Sequence, residues 1–263
     1  MMNVLDFQEM KLEKKKISMV TCYDFWSAKI LNDSLIDCLL IGDSLSMVMH
    51  GFSSTVAATN EMMAFHVAAV AKGASEKFLI ADMPFLSFRK GPLLALECVD
   101  LLVKAGANAV KLEGVFGHED VIEQIVGSGV PVMGHLGLTP QSINGLGGFK
   151  VQGRSDDQAK SLMHQAKTLQ ALGCFSLVLE CVPASLASEI TKELQIPVIG
   201  IGAGVNTDGQ VLVLQDLLGM SKEFCPKFLK KYLQGYSLIK EAVNEYDREI
   251  KGHLFPTEKE SYL

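Results

Sequence analysis

The chain has 263 residues, 48% of them apolar and 21% charged, with a formal net charge of −6 at pH 7. This is an ordinary globular balance with material for a large core, and its acidic excess argues against nucleic acid or an anionic membrane surface as the main partner. The opening MMNVLDFQEMKLEKKK has no long apolar stretch behind its lysines, and no later segment runs 18 uninterrupted apolar residues, so a cytoplasmic protein without a membrane span is expected.

Strand-like runs alternate with helical patterns from about residue 17 to about residue 220. ISMVTCYD (17 to 24) precedes a helix near 25 to 34, and CLLIGDS (38 to 44) leads through a long loop into the helical NEMMAFHVAAVAKGA. FLIADMPF (78 to 85) precedes LLALECVDLLVKAGA, whose apolar residues recur at helical spacing until Gly106 stops them. AVKLEG (109 to 114) is followed by HEDVIEQIVGSG, and PVMGHLG (131 to 137) by a Gly-rich loop and DDQAKSLMHQAKTLQALG. FSLVLECV (175 to 182) precedes ASLASEITKEL, and IPVIGIGAG (196 to 204) comes seventh. An eighth strand is expected in GQVLVLQD (209 to 216), so close behind the seventh that the helix between them must be vestigial. Helical patterns near 226 to 251 and a polar KGHLFPTEKESYL tail would supply closing helices and a surface or interface segment.

These runs are continuously apolar rather than alternating, the signature of parallel strands covered on both faces, and the helices supply the crossovers that parallel pairing needs. No linker or composition shift divides the chain. The expectation is therefore an α/β fold, a (β/α)8 TIM barrel over residues 1 to 263 as one domain, with a short N-terminal extension and a polar C-terminal tail. A doubly wound sheet uses the same units but gathers its ligand groups at one switch point. Here nearly every successive strand end carries one.

Five runs end in lone ionisable residues: Asp43, Asp82, the pair Lys111 and Glu113, His135, and Glu180. A charge at the end of a buried strand is costly without a partner or ligand, so five together imply one shared polar site at a barrel rim. Residues two apart on a strand face the same side, so Lys111 and Glu113 project into one cavity. Asp43, Asp82 and Glu113 offer three hard oxygen ligands from three strands, a set suited to Mg2+. Glu180 follows the most apolar run of the group, and enclosure there suits a general base that exchanges a proton near neutral pH. Lys111 could neutralise a substrate carboxylate or form a Schiff base; neighbouring carboxylates favour a charged clamp, since imine formation needs a neutral amine. His135 is expected to position ligand as a hydrogen-bond donor.

The other histidines, His50, His66, His118, His164 and His253, show no carboxylate or histidine partner at ligand spacing and read as ordinary loop or helix residues. The six cysteines have no C-x-x-C pairing and read as reduced packing residues. Strand alternation turns Cys181 away from the side of Glu180. GIGAG (200 to 204) has G-x-G-x-G spacing after the seventh strand, so it reads as tight turns at a rim rather than a dinucleotide loop.

The strings TCYD (21 to 24), IGDSLSMV (41 to 48), ADMPF (81 to 85), AGANAVKLEG (105 to 114), GHLGLTPQS (134 to 142), GGFKVQGR (147 to 154), LVLECVP (177 to 183) and PVIGIGAG with DGQVLV (197 to 213) resemble the ketopantoate hydroxymethyltransferase family over most of the chain. The resemblance implies a (β/α)8 barrel that moves a hydroxymethyl group from 5,10-methylenetetrahydrofolate to 3-methyl-2-oxobutanoate, giving 2-dehydropantoate. It implies a Mg2+ site at Asp43, Asp82 and Glu113, contacts to the oxo acid from Asp43, Ser44, Asp82 and Lys111, and Glu180 as proton acceptor. It also implies a homodecamer of two pentameric rings. Departures fall at Ser46, where the family commonly has glycine, in STVAATNEMMAFH, and in FRKGPLLAL, which bears on lid loops, folate contacts and oligomer contacts. Two rival readings are a Mg2+-enolate lyase or mutase of the phosphoenolpyruvate mutase type, which lacks support from a K-K-C-G-H-type cysteine loop here, and a silent barrel that binds an oxo acid as a regulator.

Overall fold

Eight parallel strands close into a barrel in chain order in the computed structural model, which describes residues 2–223 and 225–262. They are β1 (Ile17–Thr21), β2 (Cys38–Ile41), β3 (Phe78–Asp82), β4 (Ala109–Glu113), β5 (Val132–Gly137), β6 (Ser176–Glu180), β7 (Val198–Ile201) and β8 (Gly209–Leu212). The barrel closes where β8 pairs with β1, Ile17 opposite Gly209 and Val20 opposite Leu212. Around it run α1 (Val4–Leu12), α2 (Phe25–Asn32), the single turn α3 (Leu45–Val48), α4 (Asn60–Gly73), α5 (Pro92–Ala105), α6 (Glu119–Gly127), the single turn α7 (Ile143–Leu146), α8 (Asp156–Ala171) and α9 (Ala184–Glu193). The (β/α)8 expectation is met, and the eighth strand exists with no helix between it and β7.

Each strand changes character along one face. Phe78 and Ile80 share a face with Asp82, Ala109 shares one with Lys111 and Glu113, Met133 with His135, and Val178 with Glu180. The lower members of these series join Ile17, Met19, Cys38, Leu40, Ile199 and Val211 in one apolar cluster, so the barrel interior is filled from its N-terminal end and ionisable only at its C-terminal end. The alternate residues, Leu79, Val110, Leu112, Val132, Leu177 and Leu179, are buried toward the helices. Gly134 is on that outer face because α8 comes so close: an added Cβ would lie 2.6 Å from a Leu169 methyl.

The N-terminal extension forms the helix α1. Asn3 caps α1 in a capping box with Asp6, and Phe7, wholly buried, meets Phe78 and Phe175 edge to face at 5.4 and 5.2 Å. Lys11 Nζ donates to Asp208 Oδ2 at 2.7 Å and to the Thr191 carbonyl at 2.9 Å. α1 thereby plugs the floor of the barrel, opposite the ionisable rim.

Two compact units divide the chain, the first ending at Leu212 with the whole barrel and the second running from Val213. In the second, α10 (Leu214–Leu217) receives the returning chain: the N–H groups of Tyr232 and Gly235 donate to the carbonyls of Leu217 and Leu218 at 2.8 Å. The expected helix over 226 to 251 begins only at α11 (Gly235–Lys251), because Pro226 and that return turn occupy the earlier residues. α11 exposes Leu238, Ile239, Val243, Tyr246 and Ile250. Among the described residues no helix is long and apolar enough to cross a membrane.

Candidate functional site

Strand register brings the ionisable ends together. Asp82 stands opposite Lys111, Glu113 opposite His135, and Gly137 opposite Glu180. Lys111 Nζ lies 2.9 Å from Asp82 Oδ1 and 3.3 Å from His135 Nδ1. His135 Nδ1 is 3.4 Å from Glu113 Oε1, and its Nε2 is 3.3 Å from Glu180 Oε2. Side-chain exposure is 3 to 5% for Asp82, Lys111, Glu113 and His135 but 18% for Glu180. Glu180 is thus the most open of the set, less enclosed than its apolar run suggested, since its enclosure depends on the loops above the strand.

Asp43 reaches this ring from the turn after β2. Its backbone N–H donates to Asp82 Oδ2 at 3.1 Å, and its own carboxylate accepts from Gln141 Nε2 at 2.8 Å. Gln141 Nε2 also donates to the Met83 carbonyl at 3.0 Å, while the Gln141 backbone N–H donates to Glu113 Oε2 at 3.0 Å. One buried amide residue therefore ties a carboxylate from the turn after β2 to one at the end of β4. Ser44 Oγ lies 2.7 Å from the hydroxyl of Tyr23, a fully buried ring. Ser46 is also buried, and its hydroxyl donates to the carbonyls of Asp43 at 2.9 Å and Ser54 at 3.1 Å, pinning the start of the long β2–α4 loop.

Four carboxylates face two cations here, and the imbalance is visible in protonation. Burial, then the charges of Asp82 and Glu113, holds the Asp43 carboxyl well above the usual carboxylate range. Burial would push the Lys111 ammonium down, but Asp82, Glu113 and Asp43 more than offset it, so the lysine stays charged. The same contest at His135, with burial and Lys111 lowering and Glu113 and Glu180 raising, ends with the ring pushed up to about 9. Protonated, that ring is ion-paired with both glutamates, Nδ1 facing Glu113 and Nε2 facing Glu180, while the lysine is ion-paired with Asp82.

Divalent-cation chemistry fits these residues. Asp82 Oδ1 is buried without a directed hydrogen bond, and the ring sets four carboxylates against two cations. Among the described residues no three His, Cys, Asp or Glu side chains already enclose a metal position. A cation that binds through one or two carboxylates and completes its shell with water and ligand oxygens, as Mg2+ does, suits that openness.

Tyr23 and Gln141 carry no charge, so the strand-end signal misses them although both lie in recognisable strings. His50 and His66 also correct the reading of them as unpartnered: their Nε2 atoms are 2.9 Å apart, and His66 Nδ1 lies 2.5 Å from the Tyr23 carbonyl. The long loop brings His50 back to α4, a contact invisible to local spacing. β6 ends at Glu180 and Cys181 takes φ +48°, so alternation does not decide its direction; burial nevertheless pushes its thiol up to about 11, which keeps it protonated and unreactive at neutral pH. The glycines at 202 and 204 take φ +62° and +83°, and Gly204 abuts Ala184, which makes that stretch a tight turn. Cys225 is exposed rather than packed.

The family model for ketopantoate hydroxymethyltransferase matches residues 1–258. A 3-methyl-2-oxobutanoate hydroxymethyltransferase of Bdellovibrio bacteriovorus is 57% identical over 262 residues, covering 100% of both chains. Proteins of the same name from Coxiella burnetii and Francisella tularensis subsp. novicida are 57% identical, over 97% of this chain and 96% of the relative, and 53% identical, over 100% and 99%. Among solved structures, a phosphonopyruvate hydrolase in complex with oxalate and Mg2+ superposes with a TM-score of 0.65 at 10% identity, covering 99% of this chain and 93% of that one. A 2,3-dimethylmalate lyase of the PEP mutase/isocitrate lyase superfamily gives 0.62 at 13% identity, over 98% and 91%. At those identities the structural likeness establishes the barrel and not the reaction.

Proposed function

The chain belongs to the ketopantoate hydroxymethyltransferase family, and we propose that it transfers a hydroxymethyl group from 5,10-methylenetetrahydrofolate to 3-methyl-2-oxobutanoate, giving 2-dehydropantoate. The observation that carries the assignment of roles is the paired ionisable ring at the C-terminal end of the barrel, closed around a charged lysine and open only at Glu180. Lys111 holds the carboxylate of the oxo acid, with Ser44 and the Tyr23 hydroxyl behind it as neutral donors. Asp43 and Asp82 would hold Mg2+, with Glu113 beside them, and the bound ion would polarise the keto oxygen of the substrate and so acidify its C3 proton. Glu180 accepts that proton. His135, charged and with Nε2 3.3 Å from Glu180 Oε2, holds the glutamate by that ion pair and leaves Oε1 for the substrate. The C3 carbon then forms a bond to the one-carbon unit, water supplies the hydroxyl, and tetrahydrofolate leaves.

Protein with Mg2+ is expected to exchange the C3 proton of 3-methyl-2-oxobutanoate with deuterated solvent in the absence of folate, and to stop when the ion is chelated. Proton NMR of the substrate methine reads this directly; exchange equal to that of a chelated control would overturn the mechanism. The rival lyase or mutase reading rests on fold likeness alone, whereas the relatives at 53 to 57% identity all bear the hydroxymethyltransferase name. The uncovered apolar face of α11 supports a homo-oligomer, and a decamer is the assembly we propose.

Gln141 gives a further expectation. Gln141→Leu removes the amide that orients Asp43 while keeping the side chain's bulk, and by analogy with other residues that orient metal ligands it should weaken Mg2+ binding by about 10- to 100-fold. Titration calorimetry measures it, and wild-type affinity in the variant would remove Gln141 from the site.

A further inference from the structure

A cavity of about 310 Å3 lies beyond the ends of β4 and β5, walled on its far side by α8. It begins where the ionisable ring ends. Gly114, on its wall, directly follows Glu113; Gly137, also on its wall, pairs with Glu180; and the Gln152 N–H donates to the Cys181 carbonyl at 2.9 Å, beside the base. Its polar lining holds the carboxamides of Gln152, Gln158 and Gln165 and one cation, Arg89, whose guanidinium donates to the carbonyls of Glu113 and Phe116 at 3.2 and 3.4 Å, and the half-exposed ring of Phe116 offers one flat face. The volume is that of a small-ligand site. Amides beside an aromatic face match a flat heterocycle whose edge alternates hydrogen-bond donors and acceptors.

Gln158 also borders a second, more open cavity of about 640 Å3, formed by Phe149, Lys150, Val151, Arg154 and Ser155. Neither Lys150 nor Arg154 has a carboxylate partner among the described residues, although Asp156 and Asp157 open the neighbouring helix. The two cavities thus present an amide-lined slot with one arginine bound to backbone carbonyls next to the catalytic ring, and two further cations farther out.

We propose that this groove is the donor site, with the pteridine ring of the folate in the inner slot and its glutamyl tail on Lys150 and Arg154; the proposal rests on the folate donor assigned above. A chain of γ-linked glutamates carries one carboxylate per residue, so the outer cations distinguish polyglutamyl from monoglutamyl donors. The catalytic ring itself is not involved in that choice.

The test compares monoglutamyl and triglutamyl 5,10-methylenetetrahydrofolate as donors for the Mg2+-loaded protein. Wild type should show a KM about tenfold lower for the triglutamyl form, roughly the effect of two partly exposed ion pairs. In K150Q/R154Q, at two surface positions, that preference should vanish with kcat retained, while F116A should raise KM for both donors alike. Folate-independent exchange of the C3 proton should be unchanged in both variants. Equal KM values for the two donors in wild type, or a preference that survives K150Q/R154Q, would overturn the groove while leaving the proposed reaction in place. Loss of C3 exchange in wild type would instead overturn the reaction and the groove with it.

Discussion

Glu180→Gln should bind 3-methyl-2-oxobutanoate with near-normal affinity and lose exchange of its C3 proton by about 10²- to 10⁴-fold, the contribution of a positioned general base. The substitution keeps the shape of the side chain and an oxygen facing His135 Nε2, 3.3 Å away in the wild type, since an amide oxygen is still an acceptor. Oxo-acid binding depends on Lys111 and the neighbouring carboxylates, which the substitution leaves alone. What disappears is a lone pair basic enough to take a proton from carbon. His135 cannot take over below about pH 9, because Glu113 and Glu180 keep its ring protonated and no nitrogen lone pair remains. Calorimetry for binding and NMR for exchange separate the two halves of the expectation. Exchange at the wild-type rate would assign the base to another residue.

The parts of this site that are legible in the sequence are those that cost free energy if left alone. A buried strand ending in Asp82 or in Lys111 and Glu113 demands a partner, and their two-residue spacing alone puts both members of the Lys111 and Glu113 pair on one face. Gln141 costs little to bury once paired, so nothing marks it locally. Its importance comes from bridging Asp43 and Glu113 across the barrel, which only the closed sheet reveals. The His50–His66 contact is hidden for a related reason, since it depends on the path of the long loop that Ser46 pins. Helix α1 leaves little trace in the sequence because its role is set by one residue, Phe7, which fills the barrel floor rather than making an amphipathic stripe. Glu180 is more open than its sequence context implies for a third reason. An apolar run reports burial on both faces of a strand, but its last residue is covered or uncovered by loops from elsewhere.

Lys111→Met should lower stability by about 3–5 kcal/mol, the usual result of removing one partner of a buried ion pair, and should abolish oxo-acid binding as well. For a chain of this size that corresponds to a melting temperature roughly 10 °C lower. The side-chain volume is nearly preserved, so the loss is electrostatic: Asp82 loses a cation 2.9 Å away, and Asp43 and Glu113 lose the same neutralising charge. The pH dependence has a definite sign. The ammonium pKa in the folded protein is raised above the ordinary value of 10.5, so its contribution is fully present below that pH and fades only in stronger alkali. The deficit of the variant should accordingly be complete at neutral pH. Two roles are assigned to this lysine, balancing the carboxylates and clamping the substrate, and Mg2+ separates them. A divalent cation among Asp43, Asp82 and Glu113 supplies positive charge but no ammonium donor for the oxo acid. Calorimetric melting of the variant should therefore recover with added Mg2+ by more than the wild type gains, while its oxo-acid affinity stays lost. A variant as stable as wild type without the ion would contradict the charge-balancing role; one that binds the oxo acid normally would contradict the clamp.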